Sequence, residues 1–108
     1  MAKSAGVKVL VLYGAPADQD LFDAYFEQTH CPLLAKIDRL DALSINRVAG
    51  AASGASPYRV VAELHFGSEE AMQEGLNSES GQKMARDFAR FASGGATVLI
   101  CHSSSEAI

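Results

Sequence analysis

The chain has 108 residues and a formal charge of −4, from 9 Lys and Arg against 13 Asp and Glu. With 48% hydrophobic and 20% charged residues it has a globular rather than a disordered composition. An acidic balance with no Lys/Arg run argues against a nucleic-acid surface and a polybasic membrane contact, and no apolar stretch approaches the roughly 18 residues of a spanning helix.

The length is that of one domain, taken as residues 1–108 with a core over about 6–102. Val7–Tyr13 predicts a strand that is apolar on both faces: Val7, Val9, Val11 and Tyr13 on one, Leu10 and Leu12 on the other. Asp18 is a good N-cap for the helix that follows, and Asp20 suits its first turn. Phe22, Phe26, His30, Leu33, Ile37 and Leu40 then recur at steps of three and four, one stripe of an amphipathic helix. Pro32 removes a backbone donor inside that stripe, which predicts a kink or break near His30–Cys31.

Leu43–Val48 predicts a second strand, Gly50–Pro57 a flexible hairpin loop, and Tyr58–Phe66 a third strand. Ser68 caps a further helix with Glu69 and Glu70 in its first turn. A break over Asn77–Gly81 separates it from a second helical piece carrying Met84, Phe88 and Phe91, which Gly94–Gly95 ends. Ala96–His102 predicts a fourth strand, apolar on both faces. The order β-α-β-β-α-β is the ferredoxin-like arrangement, an α+β fold with a four-stranded antiparallel sheet. Right-handed crossovers put both helices on one face. The other face, apolar at strands one and four, then calls for a second copy packed sheet on sheet, a homodimer.

His30 is the most informative residue, a titratable group on an apolar stripe beside a helix break. It reads either as a core histidine with satisfied ring nitrogens or as a group facing a cavity between helices and sheet. Asp87, one step off the apolar face of the last helix, reads either as a solvated carboxylate between Arg86 and Arg90 or as a partner that orients His30. Tyr13, Tyr25 and Tyr58 could each present a hydroxyl to a pocket. His65 and His102 show no ligand spacing with His30, and no metal or other cofactor is expected. Ser80-x-x-Lys83 matches a nucleophile motif by letters alone. Cys31 and Cys101 form no CxxC pair and read as reduced thiols of a cytoplasmic protein.

Val7–Tyr13, Phe22-x-x-Tyr25-Phe26-x-x-x-His30-x-Pro32-Leu33, Ala62-Glu63-Leu64-His65-Phe66-x-Ser68, Glu69–Ala71 and, more loosely, Asp87-Phe88-x-x-Phe91 together resemble the EthD (ethyl tert-butyl ether degradation) family. That family belongs to the dimeric α/β-barrel superfamily. The resemblance implies a ferredoxin-like subunit, a dimer joined through its sheets, and a pocket between sheet and helices. It also aligns His30 with the family's motif histidine. Members are linked to ether-degradation gene clusters, and superfamily relatives include cofactor-free oxygenases, isomerases and dehydratases.

The expectation is therefore a small-molecule enzyme or accessory protein of xenobiotic catabolism. Its apolar pocket would be lined by Tyr13, Phe22, Phe26, Tyr58, Phe88 and Phe91. His30, with Asp87, would act as general acid or base on an aromatic or lipophilic substrate. The alternative is a non-catalytic dimeric module that binds a ligand or serves in stress. The expected partners are a second copy of the chain and a small organic molecule, with no nucleic acid and no membrane.

Overall fold

The computed structural model describes residues 3–92 and 94–105. The chain runs β1 (Lys3–Gly14), α1 (Gln19–Tyr25), a π-helical turn (Phe26–His30), α2 (Cys31–Ala35), β2 (Leu40–Arg47), β3 (Tyr58–Phe66), α3 (Glu69–Asn77), α4 (Glu79–Phe91) and β4 (Ala96–Ser105). The four strands form one sheet in the order β2-β3-β1-β4, with every neighbouring pair antiparallel. This is the expected α+β, ferredoxin-like architecture.

Alternation along the strands sets the core. Val7, Val9, Val11 and Tyr13 of β1 and Val60, Ala62, Leu64 and Phe66 of β3 are buried on one face. Phe22, Phe26, Leu34, Ile37, Ala71 and Met72 from the helical segments complete the same cluster. The alternate residues Lys8, Leu10, Leu12, Val61, Glu63 and His65 are only half-buried. Ile100 lies opposite Val9 and Val98 opposite Val11, so both belong to the helix side of the sheet. They are nevertheless 57% and 53% exposed, because the helical layer does not extend over β4. Leu99, on the other side and opposite Leu10, is 46% exposed.

Local signals explain most element boundaries. The Asp18 side chain accepts from the Leu21 amide and that of Ser68 from the Ala71 amide, as N-caps do. Ser78 separates α3 from α4. Its backbone is extended, and its hydroxyl accepts from the Gly81 amide while donating to the Gly75 carbonyl. A Cβ on Gly75 would run into the backbone oxygen of Asp38, so only glycine lets α3 approach the turn before β2 this closely.

Four boundaries differ from expectation. The helical run does not break at His30–Cys31. It widens into one π turn, with the Cys31 amide donating to the Phe26 carbonyl five residues back, and Pro32 follows in the first turn of α2, where its missing N–H is tolerated. The extra residue in that turn shifts the phase, so Leu34 rather than Leu33 is buried. Leu40 opens β2 instead of closing the helical stripe, because Arg39 at φ 65° turns the chain. β1 and β4 also run further than predicted, from Lys3 and to Ser105.

Candidate functional site

The π turn places His30 under the helices, fully buried, against the rings of Phe91, Tyr13, Phe26 and Phe88 at centroid distances of 4.4, 5.8, 5.8 and 6.1 Å. Burying an imidazole in such surroundings requires partners for both nitrogens. Nδ1 lies 2.9 Å from Oδ2 of Asp87 on α4, and Nε2 lies 2.9 Å from the hydroxyl of Tyr13 at the end of β1. Asp87 is itself 8% exposed, and its Oδ1 accepts a 2.5 Å hydrogen bond from the hydroxyl of Tyr25. Four side chains from three elements and the π turn thus form one connected network.

The electrostatics fix the protons. Burial pushes the His30 pKa below its ordinary 6.5, outweighing the hydrogen bond and charge of Asp87, so the ring is neutral near pH 7. Burial alone would raise Asp87, but the hydrogen bonds from Tyr25 and His30, with help from nearby positive charge, hold its carboxyl below the ordinary 3.8. Burial is the main cause that pushes the Tyr13 phenol well up, and the negative charge of Asp87 adds to it. The hydrogen bond to Asp87 is the main cause of the raised Tyr25 pKa. The arrangement consistent with all four is an Asp87 carboxylate accepting from Tyr25 O–H and from His30 Nδ1–H, with His30 Nε2 accepting from Tyr13 O–H.

An apolar cavity of about 230 Å³ lies between the sheet and α4, lined by Val9, Val11, Leu64, Met84, Phe88 and Val98 among others. Tyr13 lines it too, and is the network member that does so. His30 is fully buried and is not among the residues lining this cavity, so the expectation that it faces a cavity directly is corrected. The π turn carries the ring toward α4, and the Tyr13 and Phe88 side chains stand at the cavity wall instead.

The remaining expected lining residues disperse. Phe26 is fully buried in the core. Phe22 and Phe91 border a separate hollow with Leu21 and Tyr25, and Tyr58 borders another beside the Gly50–Pro57 loop. Tyr25 belongs to the network although its spacing from His30 did not suggest it. Five residues apart on an α-helix are rotated by about 140°, and only the π turn brings both to Asp87. Among the described residues no group of three or more His, Cys, Asp or Glu side chains gathers as metal ligands would.

Comparisons with known proteins agree with this fold. The EthD domain model matches residues 15–95. An uncharacterised 11.0 kDa protein from the thcB–thcC intergenic region of Rhodococcus erythropolis is 30% identical over 92 residues, 85% of this chain and 89% of that one. An EthD family protein from Bacillus halodurans C-125 superposes with a TM-score of 0.86 at 29% identity, over 90% of this chain and 97% of the other. Two more distant structures share the fold. A dimeric ferredoxin-like protein of unknown function from Bacteroides fragilis has a TM-score of 0.63 at 13% identity, covering 90% and 95% of the two chains. SnoaB, a cofactor-independent oxygenase from Streptomyces nogalater, has 0.63 at 11%, covering 90% and 91%. The ferredoxin-like sheet and the match across most of its length show that this chain belongs to the EthD domain family.

Proposed function

We propose that the chain, a single EthD-like domain acting as a homodimer in the cytoplasm, binds a small aromatic or lipophilic molecule in the cavity beneath α4 and moves a proton on it. The observation that carries this reading is the place of Tyr13. One residue both lines the cavity and hydrogen-bonds to Nε2 of a neutral histidine held by a buried carboxylate. The cavity is smaller than the ~300–1,000 Å³ common for drug-sized ligands, which suits a compound of one or two rings.

Tyr13 is then the group that meets the ligand, and His30 acts from behind it. When the phenolic oxygen accepts an acidic proton from a bound phenol-like compound, the proton of Tyr13 passes to His30 Nε2, and the resulting imidazolium is stabilised by Asp87. The reverse path returns the proton to a different atom of the ligand, which is an isomerisation. Loss of a ligand hydroxyl, which takes the stored proton back through Tyr13 and leaves as water, makes it a dehydration, and dioxygen, reduced as it oxidises the deprotonated ligand, makes it an oxygenation. The full burial of His30 favours a second reading, ligand capture without turnover, in which the network only orients the Tyr13 hydroxyl.

Binding of 2-naphthol and of naphthalene to the wild type and to Tyr13→Phe tests the assignment. Loss of one hydrogen bond should weaken 2-naphthol by about fivefold, roughly 1 kcal/mol, and leave naphthalene unchanged. Equal affinities of 2-naphthol for both proteins, or no binding of either compound, would reject it.

A further inference from the structure

The outer side of α4 carries a second feature that the apolar cavity does not use. Lys83, Arg86 and Arg90 follow one stripe of α4 and face Lys36 across a groove of about 550 Å³, floored by Gln28, Thr29 and Pro32 of the preceding helical segments. All four cations are exposed, and among the described residues none makes an ion pair. The other cations whose side chains are described are paired: Lys8 with Glu63, Arg39 with Glu74, Arg47 with Glu27 and Arg59 with Asp23. On a chain of net charge −4, four unpaired cations in one hollow are not the average surface. The one carboxylate lining the groove is Asp87, whose two oxygens are already engaged by Tyr25 and His30. The groove therefore holds four cations against the single charge of Asp87, which Arg90 helps to keep ionised, with Asp38 and Glu79 bordering only the adjacent hollow beside Lys36 and Lys83.

We infer that this groove binds a small polyanion of the phosphate-ester or diphosphate class. Two guanidinium forks and two ammonium groups offer more donors than one carboxylate can accept, and they suit the oxygens of phosphoryl groups. The volume is that of a small-molecule site. A short groove on an acidic chain disfavours an extended nucleic acid, which the surrounding negative charge repels. The site is independent of the ligand proposed for the apolar cavity, since it lies on the other side of α4 and needs none of the cavity's residues.

Inorganic pyrophosphate titrated into the ¹⁵N-labelled chain at low salt, followed by amide NMR, tests this. The expected result is a saturable shift confined to residues 25–36 and 83–90. It should weaken at least tenfold in the Arg86→Gln/Arg90→Gln double variant and change less than twofold in Arg47→Gln, which removes a paired cation elsewhere. Both variants should keep the dispersion of the wild-type spectrum, because all three arginines are exposed. Shifts that do not saturate, an equal loss in Arg47→Gln, or tighter binding of a ten-nucleotide single strand than of pyrophosphate would each overturn the inference.

Discussion

His30 carries the site because its burial has consequences that can be measured. Its ring has two hydrogen bonds and no exposed surface, so His30→Ala leaves Tyr13 and Asp87 each short of a partner and opens a void. The expected cost is about 2–4 kcal/mol at pH 7.5 by urea unfolding. The pH dependence follows from the directions of the shifts. The folded His30 pKa is below 6.5, so as pH falls the unfolded chain takes up this proton first. The stability of burying a neutral ring is complete above pH 6.5 and declines below it. Asp87 is also depressed, from 3.8, so its contribution is present above that value and lost as pH falls through the folded pKa. Wild-type stability should therefore fall from pH 7.5 to 5.0, and His30→Ala should flatten that fall. An equal slope in both proteins at fixed concentration would show that His30 is not buried neutral.

The helical elements show how far a sequence reveals its own packing. Two substitutions at the α3–α4 junction separate a cap from a close approach. Ser78→Ala removes the hydroxyl that serves the Gly81 amide and should cost about 1 kcal/mol. Gly75→Ala drives a Cβ into the Asp38 carbonyl and should cost more, about 2–3 kcal/mol. Thermal melts ranking them the other way would refute the tight α3 contact. The strands, the caps at Asp18 and Ser68 and the burial of Phe22 and Phe26 were legible, because alternation and capping act over a few residues. The π turn was not. Pro32 marked the place, but an i→i+5 bond and an α-helical break leave the same trace in sequence. That turn decides which side chains meet Asp87, so the pairing of His30 with Asp87 stood only as one of two readings. The split between cavity wall and buried network was invisible. The cationic groove was equally hidden, since Lys36 lies far along the chain from Lys83, Arg86 and Arg90.

At the scale of the whole molecule, the sheet is finished on one side only. Val98, Leu99 and Ile100 of β4 are exposed on both faces, and Val98 also borders the apolar cavity, so a partner covering β4 would help close that cavity. Light scattering at micromolar concentration should give a dimer mass, with an interface above roughly 1,000 Å². Leu99→Asp should give a folded monomer, because the residue is already 46% exposed in the single chain. A dimer mass in that variant would place the interface elsewhere. The account as a whole stands on the proton arrangement of the network and its link to the cavity. ¹⁵N spectra of histidine-labelled protein at pH 7.5 report both. His30 should show the neutral tautomer with the proton on Nδ1, and saturating 2-naphthol should shift its Nε2 signal in the wild type but not in Tyr13→Phe. An imidazolium signature in the free protein, or an Nε2 signal that stays fixed while naphthol binds, would contradict it.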